Sequence, residues 1–333
     1  MKITFSTFSY WPGVVSCLEN IKKIIQEKYP QANIISRNFD SPNLSFSTIK
    51  ELKINPPDIL FVGGWDNRIK TIVQNTSPRT KVILMWCSPI TQVELGGEMT
   101  RFFDVWNCLD TKQIDYLAIP LETDYESLKL LNDRTVYFPI YMDTKELDEN
   151  KISEKETNNK LIVDMFCAPC LRKNILTQMV ALAHHKDKTL LRINYSPSSS
   201  NSSLYIDAAH RIVGNYENNE WLDRSLYLNK IQNSDFCMQV SLSESFNYVA
   251  AEHMYYGIPA ILSDIIPYAS DPRISGLVVE NHQNIYEISR VIGRLCNEQF
   301  RLEMKESCHK AIVDYNNNSK EVLTESLEKI LRG

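Results

Sequence analysis

The sequence predicts an α/β protein made of two doubly wound domains that face each other across a cleft. The chain has 333 residues, a length that suits two hydrophobic cores better than one. Short, almost wholly apolar runs alternate with amphipathic segments, which indicates parallel strands covered on both faces. A polar stretch, 144–160, divides the alternation into two series. We therefore expect a first domain at residues 1–150 and a second at 151–333, with the last helix free to pack back on the first domain.

The elements of the first half follow from these apolar runs. The predicted strands are 2–8, 33–36, 59–64, 82–86, 103–108, 118–120 and 136–139. A helix over 14–27 places Val15, Leu18 and Ile21 on one face. The loop 9–13 joins the first strand to this helix.

The second half repeats the alternation. Its predicted strands are 161–166, 189–193, 235–240, 260–263 and 276–279. Its predicted helices are 172–184, 220–231, 284–297, 299–316 and 320–332. A Ser-rich run, 196–203, predicts a flexible loop.

The bulk composition is that of an ordinary globular protein. The hydrophobic fraction is 43%, the charged fraction is 23% and the net charge is −5. This charge argues against a surface built mainly for nucleic acid, although a local basic patch is compatible with it. No apolar run approaches the roughly 20 residues of a membrane span, and the first residues predict a strand rather than a signal peptide. We expect a cytoplasmic protein.

Eight cysteines are scattered along the chain, mostly in apolar runs. This distribution predicts buried free thiols rather than disulfides. Cys167 and Cys170 form a single C-x-x-C pair without a second pair or suitably spaced histidines, so it does not predict a zinc site.

Two carboxylates stand eight positions apart in the stretch 243–259, at Glu244 and Glu252. A polar loop after the strand 235–240 leads into a helix near Asn247, and Gly257 and Pro259 end that helix. A helix start at a strand's carboxyl end attracts anionic groups such as phosphate. A carboxylate accepts hydrogen bonds from a vicinal diol. This combination suits a sugar nucleotide, whereas the simpler alternative is an amphipathic helix with a glutamate near each end.

The motif residues resemble those of GT-B glycosyltransferases. Ser243-Glu244-Ser245-Phe246-Asn247, then Ala251-Glu252-His253-Met254 and Gly257-Ile258-Pro259, are similar to the E-x7-E signature of that class, and the closest match is its large retaining family often called GT4. The resemblance covers about residue 161 to the C-terminus. It implies the GT-B fold, with two Rossmann-like domains.

The resemblance also implies roles for individual residues. Glu252 would bind the nucleotide ribose, and Glu244 would contact the donor sugar or support the site. The basic pair Arg172 and Lys173 would neutralise the diphosphate leaving group, although the family's arginine sits nearer the strand end, where this chain has Cys167. The backbone of one short segment would hold the sugar and diphosphate: Ser245, Phe246, Asn247 and Tyr248.

Glycines complete the set of candidate donor-binding residues. Gly214 precedes a predicted helix, and Gly13 ends the loop after the first strand, where the family has a Gly-Gly loop. The family commonly has glycine where Ser245 and Asn247 stand. Because asparagine tolerates a positive φ, Asn247 can keep the turn.

The expected chemistry is transfer of a sugar from a nucleotide-diphosphate sugar, most readily a UDP- or GDP-sugar, to an acceptor hydroxyl. All six histidines lie in the second half, so the first half offers no histidine as a general base for inversion. This favours retention of anomeric configuration, in which the departing phosphate accepts the proton. We expect no catalytic metal and no other cofactor, because cationic side chains and the helix dipole replace a metal in this class.

Several acceptors and functions remain open. The acceptor can be a saccharide, a lipid-linked glycan, a protein or a hydroxymethylated base in DNA. The DNA alternative rests on basic and aromatic residues of the first half that could line a DNA-facing cleft: Lys22, Lys23, Arg68, Lys70, Arg79, Lys81, Arg101, Trp11, Trp65, Trp86 and Trp106. Further alternatives are a nucleotide-sugar epimerase and a non-catalytic binding module that kept the fold.

Overall fold

The computed structural model describes residues 1–8, 12–38, 42–95, 97–149, 158–196 and 200–332. Trp11 and the central part of the predicted 144–160 stretch, 150–157, lie outside the described residues, as do residues 197–199 of the predicted Ser-rich loop. The chain divides into two compact units. The first unit consists of Met1–Tyr141 together with the end of the chain from Asn316, and the second unit consists of Met142–Tyr315.

The first unit contains a parallel sheet of six strands in the order β2-β1-β3-β4-β5-β6. The strands are β1 Lys2–Thr7, β2 Asn33–Asn38, β3 Ile59–Gly63, β4 Lys81–Met85, β5 Tyr116–Ile119 and β6 Thr135–Tyr137. The helices are α1 Pro12–Lys28, α2 Pro42–Ile54, α3 Asn67–Asn75, α4 Ile90–Leu95, α5 Met99–Asp110 and α6 Glu122–Leu131. The central strands are buried on both faces, as parallel strands covered by helices must be.

The second unit repeats this architecture, with the strand order β12-β11-β10-β7-β8-β9 and parallel pairing. The strands are β7 Leu161–Asp164, β8 Thr189–Ile193, β9 Tyr216–Asn218, β10 Phe236–Gln239, β11 Ala260–Ser263 and β12 Val278–Val279. The helices are α7 Lys145–Glu149, α8 Ile175–Ala183, α9 Ser200–Ala208, α10 Arg224–Gln232, α11 Tyr248–Tyr255, α12 Ile285–Leu295 and α13 Glu298–Arg332. Two parallel α/β sheets were predicted, and the structure confirms them.

Several predicted elements were wrong. The predicted Ser-rich loop 196–203 overlaps a helix, because α9 begins at Ser200. The predicted strand 103–108 lies inside α5, because Val105, Cys108 and Leu109 are buried at helical spacing rather than on alternate positions. The predicted helices 299–316 and 320–332 are one continuous helix, α13. The polar stretch 144–160 is not wholly a linker, because α7 occupies Lys145–Glu149 and buries Leu147.

The second half of α13 has a buried face in the first unit. Leu323, Leu327 and Ile330 are buried at helical spacing. The Lys81 ammonium group donates a hydrogen bond to the Ile330 carbonyl oxygen at 2.8 Å. Residues from Asn316 onward therefore belong to the core of the first unit although they come last in the chain.

Candidate functional site

Most predicted site residues meet where β7 and β10 lie side by side in the second sheet. From β7 the chain continues to β8 and β9 on one side, whereas from β10 it continues to β11 and β12 on the other. Loops that leave two neighbouring parallel strands in opposite directions open a crevice at the carboxyl ends of those strands, and ligands of doubly wound proteins bind there. The loop after β7 carries Arg172 and Lys173, and the loop after β10 carries Glu244.

The Glu244 carboxylate is the centre of this crevice. It is only 6% exposed. Its Oε1 forms an ion pair with the Lys173 ammonium group, and its Oε2 lies 3.2 Å from Nη1 of Arg172. The Ser241 hydroxyl donates to Oε1 at 3.0 Å and the Asn247 amide donates to it at 3.3 Å. Glu244 therefore holds the two loops together.

The charge of Glu244 follows from its neighbours. Burial by itself would raise the pKa of this carboxyl, but the Lys173 and Arg172 cations outweigh burial and hold the pKa below its usual range. The carboxylate is thus ionised at neutral pH and supports both cations.

Arg172 and Lys173 do not begin a helix, contrary to the predicted helix over 172–184. They lie in a short 3-10 turn, Leu171–Lys173, and α8 begins only after Asn174, whose φ is 51°. The Leu242 amide donates a hydrogen bond to the Arg172 carbonyl oxygen at 2.7 Å, which ties the turn to the loop after β10. Lys173 is buried, whereas the Arg172 side chain keeps 28% of its surface exposed. Arg172 is therefore the more accessible of the two cations.

Asn247 shapes the start of α11. Its φ of 72° confirms that Asn247 adopts the left-handed conformation, which asparagine tolerates better than most residues other than glycine. Its side-chain oxygen accepts a hydrogen bond from the Ala250 amide at 3.1 Å, and its amide group donates to Gln239 at 3.1 Å. The Tyr268 hydroxyl donates to the Asn247 carbonyl oxygen at 2.7 Å. Asn247 therefore caps the helix and fixes the loop after β10.

The aromatic residues beside Asn247 anchor the loop. Phe246 is buried and its ring packs edge-on against Tyr248 at 4.8 Å and Tyr268 at 5.5 Å. Only the backbone of Phe246 can face a ligand. Ser245 is half-buried between Glu244 and Phe246.

Glu252 lies one helical turn further along α11 and is 5% exposed. Its Oε1 is 2.6 Å from Nη1 of Arg224, and its Oε2 accepts a hydrogen bond from the Tyr227 hydroxyl at 2.6 Å. Arg224 also contacts Glu146 at 3.0 Å. Arg224 and Tyr227 were not among the predicted site residues. Their i, i+3 spacing on a predicted helix indicated a shared face, but only the fold shows that this face meets Glu252.

A charged network lies buried beneath the site. Arg192 binds both oxygens of Asp164, at 2.7 and 2.9 Å, and Nε2 of His253 lies 3.1 Å from Oδ2 of Asp164. Burial alone would lower the pKa of His253, but the neighbouring Cys237 and Asp164 outweigh burial and raise it to about 10. The structure places the His253 side chain in the core. The network joins the end of β7 to the helix that carries Glu252.

One of the two predicted glycines, Gly214, is not part of this crevice. Gly214 has a φ of 79° and precedes β9, so it lies at the amino end of an edge strand, whereas Glu244 follows the carboxyl end of the interior strand β10. Gly13 belongs to the first unit and lies in the first turn of α1. The structure therefore does not bring Gly214 to the predicted site, because only the carboxyl ends of β7 and β10 carry the loops that meet there.

All eight cysteines are free. Burial raises the pKa of Cys167 to about 11, so this residue is a neutral thiol at physiological pH, and its Sγ lies 3.3 Å from the Tyr195 hydroxyl oxygen.

Two of the predicted DNA-facing tryptophans are buried, whereas Trp106 is only partly buried. Trp65 and Trp86 are 2% and 4% exposed and belong to the hydrophobic core. Several of the predicted basic residues pair with neighbouring acids: Lys22 with Glu19, Arg68 with Asp66, Lys70 with Asp104 and Arg101 with Glu98. Trp65 and Trp86 pack into the hydrophobic core because each lies just after a buried strand.

Within the described residues, no helix is sufficiently long and apolar to cross a membrane. In the same part of the chain, no group of three or more histidine, cysteine, aspartate or glutamate side chains could hold a metal ion.

No known family model matches the sequence, and no curated protein matches it either. Solved structures do match nearly the whole chain. An α,α-trehalose-phosphate synthase (UDP-forming) from Burkholderia vietnamiensis has a TM-score of 0.70 at 11% identity, over 99% of this chain and 99% of that one. Sucrose-phosphate synthase from Thermosynechococcus elongatus has a TM-score of 0.70 at 13% identity, over 100% of this chain and 98% of that one.

A trehalose-6-phosphate synthase, studied for glycosyl transfer with retention, has a TM-score of 0.73 at 14% identity, over 99% of each chain. At such identities the likeness concerns the fold. Both parallel six-stranded sheets and their flanking helices correspond to those of these proteins. The chain therefore has the GT-B fold, with two Rossmann-like domains.

Proposed function

We propose that this protein is a glycosyltransferase that moves a sugar from a nucleoside-diphosphate sugar to an acceptor hydroxyl. The observation that carries the proposal is the convergence of Arg172, Lys173 and the start of α11 on one crevice at the ends of β7 and β10. The shared GT-B fold supports it, because the similar structures include synthases of trehalose phosphate and sucrose phosphate.

The two cations suit the diphosphate of the donor. Arg172 presents a partly exposed guanidinium group, and Lys173 supplies a second positive charge behind it. The start of α11 adds the positive end of a helix dipole. These groups would stabilise the negative charge that develops on the leaving nucleoside diphosphate. Glu244 would act through the cations, because its buried carboxylate is already engaged by them.

Ribose recognition falls to Glu252. Its carboxylate lies on the same helix that would meet the diphosphate, one turn further from the helix start. A carboxylate accepts hydrogen bonds from both hydroxyls of a vicinal diol. Ser245, Phe246, Asn247 and Tyr248 would then contribute their backbone to the sugar and diphosphate. Gly13 would also bind the donor, and the first domain would otherwise serve the acceptor side.

We further propose retention of anomeric configuration. The bond between the donor's anomeric carbon and the diphosphate oxygen breaks, the acceptor oxygen bonds to the same face of that carbon, and the acceptor proton passes to the departing phosphate. This reaction needs no separate base, which agrees with a first half that contains no histidine. It also needs no catalytic metal if Arg172, Lys173 and α11 supply the positive charge. UDP- and GDP-sugars are the proposed donors, and the cytoplasm, where they are made and thiols stay reduced, is the proposed location.

A thermal-shift screen tests donor binding. UDP, GDP, ADP, dTDP and CMP, and their sugars, are compared, because a ligand that binds only the native state raises its apparent stability. The nucleotide sugar that raises the unfolding temperature is then incubated with hydroxyl acceptors. Release of nucleoside diphosphate and the anomeric configuration of the product are measured. Release of nucleoside diphosphate that is lost when Lys173 is replaced supports the transferase function. A changed sugar still attached to its nucleotide would identify an epimerase, and binding without any turnover would identify a binding module.

A further inference from the structure

The Glu252 carboxylate has hydrogen-bond acceptor sites that its protein partners do not occupy. A carboxylate offers about four lone-pair sites, two on each oxygen. Arg224 occupies one site on Oε1 and the Tyr227 hydroxyl occupies one on Oε2. One site therefore remains on each oxygen. The two hydroxyls of a ribose diol are two donors, so the remaining sites match them in number.

Both partners of Glu252 are themselves fixed. The Tyr227 ring packs against Phe166 at a centroid distance of 5.9 Å, and Arg224 lies over the Tyr227 ring at 5.4 Å. Glu146 of α7 contacts the Arg224 Nε at 3.0 Å. Burial and the nearby Glu252 charge raise the pKa of Tyr227 well above its usual range, so its hydroxyl keeps its proton and donates. The carboxylate of Glu252 is thus held in one plane by α10.

We propose that Arg224 and Tyr227 are positioning residues that orient the Glu252 carboxylate toward the 2′- and 3′-hydroxyls of the donor ribose, which makes the site selective for ribonucleotides over 2′-deoxyribonucleotides. This inference rests on the proposed function, because it takes the nucleotide to bind at Glu252. A deoxyribonucleotide lacks one donor and leaves one buried acceptor site of the carboxylate unpaired, which costs binding free energy.

The test compares dissociation constants for matched nucleotides, measured by calorimetry on the full chain. UDP is compared with 2′-deoxy-UDP, and GDP with 2′-deoxy-GDP. The wild type should prefer the ribonucleotide by about tenfold or more, the effect of one hydrogen bond to a charged group. Tyr227→Phe removes only the hydroxyl and should reduce this preference to about threefold or less, since Oε2 can then turn away or bind water. Arg224→Gln should reduce it in the same way.

Tyr256→Phe is the matched control. Tyr256 follows the end of α11, and its hydroxyl donates to the Leu147 carbonyl oxygen at 3.0 Å instead of to Glu252. This variant should keep the wild-type preference. Thermal unfolding of each variant shows whether it is folded, and a general structural defect would weaken both nucleotides of a pair equally.

The possible failures are distinguishable. If the wild type prefers ribonucleotides and both Tyr227→Phe and Arg224→Gln keep the full preference, the positioning role is overturned while donor binding at Glu252 stands. If the wild type binds both members of each pair equally, ribose selection is overturned. Sugar transfer is measured separately as release of nucleoside diphosphate, so it can stand or fall independently of either result.

Discussion

Lys173 and Glu244 form a buried ion pair although 71 positions separate them in the chain. The pair joins the loop after β7 to the loop after β10, the two loops that diverge from the middle of the second sheet. Arg172 contacts the other oxygen of the same carboxylate. The crevice therefore holds two cations and one anion, which leaves a net positive charge next to the start of α11.

We expect Lys173→Gln to lower the turnover number for release of nucleoside diphosphate by about 100-fold or more, because one group that stabilises the leaving anion is lost. Turnover with a saturating donor measures this effect. Lys186→Gln, at an exposed lysine, is the control and should leave turnover unchanged. Unchanged turnover in the Lys173 variant would contradict the proposed role of this residue.

We expect Glu244→Gln to destabilise the protein at pH 7 by about 3 kcal/mol, because the buried Lys173 loses its counter-charge. The folded-state pKa of Glu244 is lowered from a reference value of 4.5. Its contribution is therefore fully present above that value and is lost as the pH falls through the folded-state pKa. The free energy of unfolding of the variant should fall less steeply than that of the wild type below pH 4.5. Urea unfolding at several pH values measures both effects, and Glu325→Gln, at an exposed site, is the control.

We expect the wild type to lose stability at alkaline pH through His253. The folded-state pKa is raised from a reference value of 6.5 to about 10. The contribution is thus fully present below 6.5 and is lost as the pH rises through 10. His253→Gln should cost about 2 kcal/mol at neutral pH, because a hydrogen bond to a charged group is lost. The difference between wild type and variant should shrink toward pH 10, whereas the exposed His184→Gln should follow the wild type throughout. A constant difference across this range would count against a buried imidazolium ion.

We expect two substitutions at Asn247 to differ in a defined order. Asn247→Ala loses the cap on Ala250 and also strains a residue with a φ of 72°, so it should cost about 2 kcal/mol or more. Asn247→Gly loses the cap but relaxes the backbone, so it should cost less. Chemical denaturation of both variants measures the order. Equal stability of the two would mean that the backbone conformation carries no strain at this position.

Much of the fold was predictable from local patterns. Apolar runs such as 59–64 and 260–263 indicated buried parallel strands because a strand covered on both faces has no polar side. Asn247 was predicted to keep a turn that favours glycine, and its φ confirms this. The strand predicted at 103–108 was wrong because a short apolar run does not distinguish a strand from a helix. The helical spacing of its buried residues becomes visible only when Leu109 is included.

The candidate site also has features that the sequence predicts and features that only the tertiary structure shows. Its residue types and the spacing of Glu244 and Glu252 were visible in the sequence, because they depend on a loop and a helix that are local. Tertiary structure decided that Lys173 and Arg172 meet Glu244, that Arg224 and Tyr227 hold Glu252, and that Gly214 lies at the amino end of an edge strand. The reason is that strand order is set by which apolar faces pack together across the whole domain, and nothing in a local run of residues records which strand becomes its neighbour.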